Sequence, residues 1–296
     1  MPDLAHARYS RLTRLEALDA IEIAHPHFHA VLTLQGAQLV RFAPAGATDW
    51  LWLSPRARFE PGRAIRGGIP VCWPWFGDPA RNPPSVKALL SSESPPAHGL
   101  ARTAIWTLEE LHEAPEQVTM VLALEAPADA RWQGAARACL ECRFRADALV
   151  LELTTDNTGD RPLAITQALH TYLPTPDITR SRVRGFEGVA YVDTLNEWRT
   201  AVQSGAVVFR GETDRIYQAA PALNIEHPHG VWHLNARGSG STVVWNPGPE
   251  KARRLSDFPD HAWTGMLCVE TANAGDDYRE LPPGQRHSMA MTLTRN

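Results

Sequence analysis

Residues 65–77 read IRGGIPVCWPWFG: Arg66 stands before Gly67 and Gly68, and the apolar run that follows is interrupted by Pro70 and Pro74 and weighted by Trp73, Trp75 and Phe76. Each proline fixes its own φ and removes a backbone donor, so neither a helix interior nor a central strand can hold both. The stretch therefore reads as a rigid, mostly buried loop or a broken edge strand. Gly67 and Gly68 permit backbone conformations and close approaches that a side chain would block. An arginine beside exposed backbone amides suits a carboxylate or phosphate. A packed aromatic corner with Arg66 as a surface charge accounts for the same letters.

Outward from this loop the pattern is short strands and turns. Residues 31–35, 38–42, 50–53, 118–124, 148–156, 164–173, 207–209, 230–234, 242–245, 266–271 and 289–293 alternate or run apolar in the manner of strands. Turn chemistry separates them, as in DNTGD at 156–160, NPGP at 246–249 and LPPG at 281–284. The best helical candidates, 109–117 and 128–137, are weakened by Pro115 and Pro127. With 20 Gly and 24 Pro and no long periodic helix, the class is all-β, a sandwich or barrel. No fixed-period repeat marks a propeller. One large sandwich, a single domain over residues 1–296, is the expectation. The polar Pro/Ser segment 79–96 reads as a surface excursion above the site.

Composition narrows the functional classes. At 44% apolar and 21% charged residues, the chain has ample material for a core. A net charge of −4 supplies no general basic field, which argues against nucleic acid as a partner. The first thirty residues carry charges throughout and no apolar core of a signal peptide, and no run is long enough to span a bilayer. A soluble, cytoplasmic, monomeric protein is expected.

Cys139 and Cys142 form a C-x-x-C, but Leu140, Cys142 and Phe144 alternate with Glu141, Arg143 and Arg145. Residues three apart on a strand point to opposite faces, so the two sulfurs should diverge. His25, His27 and His29 fall at alternate positions, a spacing that a strand would convert to a metal-binding face, yet Pro26 interrupts it and no carboxylate follows at useful spacing. His227 and His229 repeat the theme. Solvated edge histidines are the expectation for both stretches, and no metal site is expected.

Four other places carry chemistry. Gly99 lets the chain turn sharply after His98, and Arg102 follows four residues on, so both can face one polar ligand. In LHTYL, 169–173, alternation puts His170 on a face with Ala168 and Tyr172. Glu270 lies in MLCVETA, 266–272, a stretch apolar on both faces and so central and covered. A carboxylate there costs several kcal/mol if unpaired, so it is either used or firmly paired with an arginine. Asp214, in TDRIY at 213–217, reads as part of a polar pair leading into a short strand.

Taken together, IRGGIPVCWPWFG, HGLAR, LHTYL, TDRIY, VVWNPGPEKARRLSDF and CVETA, in this order over residues 31–293, resemble the aldose 1-epimerase superfamily, and more narrowly its hexose-6-phosphate mutarotase branch. The resemblance implies a large antiparallel β-supersandwich of galactose mutarotase type, with the active site in a cleft on one face. It implies interconversion of the α and β anomers of a small sugar phosphate, without metal or other cofactor. By motif, His170 is the general acid and Glu270 the general base, while Arg66, His98, Arg102 and Asp214 contact substrate. A glutamine that precedes the cleft histidine in some relatives is replaced by Ala97, which removes one sugar contact.

Mutarotation needs a base for the anomeric hydroxyl proton and an acid for the ring oxygen. An imidazole and a carboxylate on opposite sides of the sugar suffice, with Glu270 ionised and His170 protonated. A phosphate adds negative charge that Arg66 or Arg102 would meet. Three other readings fit parts of the sequence: a mutarotase of unphosphorylated hexoses, a non-catalytic sugar-binding protein on the same scaffold, and a cupin-like metal enzyme built on HPHFH.

Overall fold

Strand alternation organises the protein. In the computed structural model, which describes residues 4–91 and 94–295, the strands Ala136–Phe144 and Ala148–Asn157 bury every second side chain along their whole length. They lie inside a nine-stranded antiparallel sheet that runs from Val207–Val208 at one edge, through Arg182–Arg184, Leu223–His227, Gly230–Arg237 and Arg286–Arg295, to Val118–Ala126 and Thr107–Glu113 at the other. One face is core and the other meets solvent, as antiparallel sheets permit.

The second large sheet is of a different kind. Its order is Arg199–Val202, Ala190–Asp193, Thr213–Tyr217, Ser241–Asn246, Met266–Asn273, Gln167–Leu169 and Val71–Cys72, with Tyr172–Pro174 also paired to Met266–Asn273. Every residue of Ser241–Asn246 and Met266–Asn273 is buried, so both faces of the centre are covered. Leu267 and Val269 join the main core with Leu151, Leu153, Met289 and Met291 of the nine-stranded sheet. The Thr171 hydroxyl also donates to Met291 Sδ, and the Trp73 indole N–H to Thr155 Oγ1, across the same layer. The alternate residues Met266, Cys268, Glu270 and Ala272 therefore face away from that core. A four-stranded sheet, Ser10–Leu15, Leu18–His25, Phe28–Thr33 and Gln38–Pro44, seats Phe28 and Phe42 against Phe144. This is the expected antiparallel supersandwich.

The stretch 65–77 is a broken edge: Val71–Cys72 pairs as a short strand at the margin of the second sheet, Gly67, Ile69 and Trp73 make single bridges, and Trp73–Pro74 is a cis peptide. Gly67 and Gly68 have φ of 115° and 64°. A Cβ on Gly67 would lie 2.6 Å from Trp52 O, and one on Gly68 would lie 2.2 Å from Leu39 O. Close passage of backbone is what the glycines provide. The Gly68 N–H donates to Trp52 O, so that amide is not an anion cradle.

Several expectations are corrected. Thr107–Glu113, which overlaps the first helical candidate at 109–113, is an edge strand; a bulge between Leu108 and Glu110 interrupts its alternation, leaving buried Leu108 three residues from Leu111. The second, 128–137, is a turn in which Asp129 accepts the backbone N–H groups of Arg131 and Trp132, followed by the strand from Ala136. Residues 50–53 form no strand beyond a single bridge at Leu53. Strand 164–173 is three pieces, Leu163–Ile165, Gln167–Leu169 and Tyr172–Pro174. HPHFH is a hairpin tip that scatters its histidines: His25 is buried between the rings of Tyr9 and Phe28, whereas His29 meets Glu22 at 2.9 Å. His227 and His229 occupy another hairpin tip. Cys139 and Cys142 diverge as expected, Cys142 into the core. The excursion 79–96, of which 92 and 93 lie outside the described residues, is anchored by buried Asn82 and Val86.

The glycine pair yields a stability prediction. Gly68→Ala should cost about 3 kcal/mol or more, because both the backbone conformation and the Leu39 carbonyl oppose a side chain. Gly46→Ala, also at positive φ but with open space around it, should cost only about 1 kcal/mol. Urea denaturation of the two variants beside the parent chain checks the difference.

Candidate active site

The face of the second sheet that turns away from the core forms the floor of a cleft of about 550 Å³, a size typical of small-molecule sites. Strand periodicity selects its lining: Asp214 and Ile216 from Thr213–Tyr217, Val243 and Trp245 from Ser241–Asn246, and Glu270 from Met266–Asn273. His170 sits at the break between Gln167–Leu169 and Tyr172–Pro174, where its N–H donates to Pro70 O. The loop 65–77 supplies Arg66, Pro70, Phe76 and Gly77 to the wall, and the HGLAR segment supplies His98 and Arg102. All six residues singled out from the sequence thus line one cavity.

His170 Nε2 lies 3.4 Å from Glu270 Oε1. The two groups stand side by side, His170 in the gap between two short strands and Glu270 on the strand with which both pair, which corrects the expectation that they flank the sugar. Side-by-side placement suits the chemistry, because the ring oxygen and the anomeric oxygen are bonded to the same carbon. Glu270 is 1% exposed, and its second oxygen, Oε2, has no hydrogen-bond partner. His170 Nδ1 and Arg102 Nε are likewise buried and unpartnered. Buried polar atoms without partners are uncommon, and three of them around one cavity point to a ligand that supplies the missing bonds.

A packed chain of groups orients the imidazole. Its ring stacks on Tyr172 at 4.7 Å with 7° between planes, and meets the edge of Trp245 at 6.0 Å. Arg66 Nη1 donates to Tyr172 Oη at 3.3 Å, and Arg66 Nε donates to Asp257 Oδ1 at 3.1 Å. His98, held at φ 64° and accepting the Gly77 N–H on Nδ1, brings its ring 5.7 Å from that of His170. Arg102 Nη2 donates to Ala97 O at 2.5 Å, and Lys251 lies 3.9 Å from Asp214 Oδ2 and 3.0 Å from Glu212 Oε1.

Burial sets the protonation of the pair. It pushes His170 down to about 3, helped by the cations Arg102 and Arg66, and pushes Glu270 well above the usual carboxylate range, with Asp214 adding to the rise. Both groups favour neutrality, so the single proton of the pair rests on the carboxyl in the open cleft. Burial and Arg102 likewise hold His98 neutral. Cys268 offers its sulfur within 4.8 Å of ligand atoms of His170 and Glu270. Its thiol is raised well above the ordinary value, mainly by burial. Among the described residues this trio, and not HPHFH, is the group whose geometry approaches a metal set; its members His170 and Glu270, which line the cleft, are the acid/base candidates.

Sequence reasoning missed Tyr172, Trp245, Lys251, Asp257 and Trp198 as cleft residues. Lys251 and Asp257 lie within the quoted VVWNPGPEKARRLSDF, so the motif marked the segment, but its spacing gave no clue to which side chains return to the site.

The protonation pattern predicts the pH response. The pair would gain a second proton only in strong acid, as pH falls through about 3, and would lose its proton only above the raised carboxyl value. Turnover in the cleft should therefore vary less than about twofold from roughly pH 5.5 to 7.5, across the ordinary imidazole value. Steady-state rates over that range check this; a fall centred near 6.5 would contradict it.

The family model described as Aldose 1-epimerase matches residues 19–294 of the chain. A protein of Escherichia coli strain K12 that carries the provisional name glucose-6-phosphate 1-epimerase is 34% identical over 267 residues, covering 89% of this chain and 86% of that protein. One from Cenchrus ciliaris with the same provisional name is 32% identical over 274 residues, covering 86% and 78% respectively. Among solved structures, a Salmonella typhimurium protein provisionally described as a mutarotase superposes with a TM-score of 0.86 at 28% identity, over 98% of this chain and 94% of that one.

Proposed function

The chain belongs to the aldose 1-epimerase family, and from that membership we propose that it interconverts the α and β anomers of hexose 6-phosphates, glucose 6-phosphate first among them. The observation that carries the reading is the buried His170–Glu270 contact, with a free hydrogen-bonding atom on each partner, at the floor of a cleft lined by Arg66, Arg102 and Lys251.

Ring opening needs one proton shared between two groups, which is the number the buried pair holds. Passage of that proton from Glu270 to His170 across their contact arms the site. Glu270 then removes the proton of the anomeric hydroxyl as His170 protonates the ring oxygen, and the C1–ring oxygen bond breaks to give the aldehyde. Rotation about C1–C2 exposes the other carbonyl face, and closure returns both protons along the same path. Arg102, whose cation favours the ionised form of Glu270, supports the charged intermediate state in a site where water is largely excluded. Asp214 and His98, which line the same cleft, are the proposed contacts for sugar hydroxyls. No redox step enters this sequence.

Arg66 and Arg102 are the proposed phosphate contacts. Arg66 is already balanced by Asp257 and fixed by Tyr172, which gives it a defined geometry; Arg102 retains an unused donor at Nε. The sugar in the provisional name of the Escherichia coli and Cenchrus ciliaris relatives supports a phosphorylated hexose.

Two measurements test the reading. Anomer exchange of glucose 6-phosphate followed by NMR should fall by ~10²-fold or more in His170→Ala and in Glu270→Gln, since each proton transfer contributes about that much; exchange at the parent rate in both variants would reject it. Arg102→Ala should raise KM for glucose 6-phosphate about tenfold, the scale of one charge-assisted hydrogen bond, while changing that for glucose less than about twofold. Equal losses on the two sugars would remove phosphate recognition from this arginine.

A further inference from the structure

The hairpin that joins Ala190–Asp193 to Arg199–Val202 turns through Glu197 and Trp198, at φ of 53° and 59°. The Arg199 N–H donates to the Asn196 carbonyl across them at 3.0 Å. Two successive left-handed residues normally call for Asn-Gly or a similar pair, and a tryptophan there is strained. Strain of this kind persists where the surrounding structure over-determines it, and it clusters at ligand clamps.

Where the turn sends the ring is informative. Trp198 lines the cleft together with Thr194 and Leu195 of the same hairpin. The guanidinium of Arg81 lies 5.0 Å from the Trp198 ring centroid. Arg81 belongs to the turn Pro79–Arg81, which follows Phe76, Gly77 and Asp78 of the cleft wall. These two segments flank opposite edges of the second sheet: Arg199–Val202 ends it on one side and Val71–Cys72 on the other. Six strand spacings separate those edges, about 29 Å along the sheet. Their loops nevertheless touch, so the Arg81–Trp198 contact arches over the floor that carries His170 and Glu270. The other cleft aromatics are engaged with neighbouring rings: Tyr172 with His170 and Trp52, Trp245 with Tyr172 and His170, and Phe76 with His98. With Arg81 on Trp198, the indole retains a surface for the apolar C–H face of a pyranose.

We propose that Trp198 contacts the substrate as the roof of the cleft, stacking on the sugar ring of a hexose phosphate, and that Arg81 is a positioning residue that holds the indole across the opening. The proposal rests on the reaction proposed above for its substrate class, though its binding arm is read without turnover.

The experiment compares the parent chain with Trp198→Gly, Trp198→Phe, Arg81→Ala, Arg81→Lys and, as a control on the same hairpin, the exposed Val202→Ala. Anomer exchange gives kcat and KM for glucose 6-phosphate, calorimetry gives its Kd, and thermal unfolding gives the midpoint. Trp198→Gly should raise KM and Kd at least fivefold and alter kcat less than threefold, with a midpoint no lower than the parent's because the turn is relieved. Trp198→Phe should recover most of the affinity. Arg81→Ala should raise KM two- to fivefold and Arg81→Lys should restore part of it, while Val202→Ala should match the parent. Unchanged KM and Kd in Trp198→Gly overturn the proposal, as does a lowered midpoint with unchanged affinity, the mark of a merely structural residue. Binding of glucose 6-phosphate without anomer exchange by the parent chain would overturn the reaction and leave the calorimetric comparison to decide the role of Trp198; absence of binding by the parent would overturn both.

Discussion

A carboxyl group held out of water beside an imidazole is the constraint around which this protein is arranged. Glu270 lies on a strand whose eight residues are all buried, and it faces His170 with one oxygen while the other meets no partner. Leaving such a group unsolvated costs several kcal/mol, which must be offset by the packing of the two large sheets and by the neutrality the pair adopts through sharing one proton. The aromatic layer of Tyr172, Trp245 and Trp52 packs beside that arrangement, and the ion pair of Arg66 with Asp257 holds the Tyr172 hydroxyl in place.

Register carried through a proline-interrupted edge is what makes the site possible. The pairing of Ala168 with Cys72 and Leu169 with Val71 continues past Leu169: His170 N–H reaches Pro70 O and Tyr172 N–H reaches Gly68 O, on the proline- and glycine-rich loop that also carries Arg66. Pro70 has no N–H to return, so the ladder there is incomplete. Gly67 and Gly68 allow that loop to pass against Leu53 and Leu39 without side-chain collision. The residues that look irregular in the sequence are thus those that bring cation, imidazole and carboxylate to one cavity.

Much of this was legible beforehand. The all-β class followed from alternation and turn residues, and Glu270 stood out because a charge interrupts a run apolar on both faces. The six site residues were chosen partly by motif resemblance, and they line a single cleft. What escaped has physical reasons. A bulge in Thr107–Glu113 interrupts its alternation, the solvent-facing edge strand Ser10–Leu15 has too little apolar pattern to register, and HPHFH folds back on itself at a hairpin tip. Side-by-side placement of His170 and Glu270 depends on the pairing of Gln167–Leu169 and Tyr172–Pro174 with Met266–Asn273, a long-range register that no local window contains. Trp198 is hidden for the same reason, since its importance lies in a contact between opposite sheet edges.

The strand Met266–Asn273 has one further consequence. Successive side chains serve different masters, with Leu267 and Val269 knitting the sandwich together while Cys268 packs beneath Tyr172 and Trp245 and Glu270 lines the cleft. A backbone shift that suits one set is felt at once by the other. Lineages of this chain would therefore find it hard to retune thermal tolerance and reactivity separately along these eight positions, and divergence in sugar preference should accumulate instead in the wall and roof loops, where a change leaves the sandwich undisturbed.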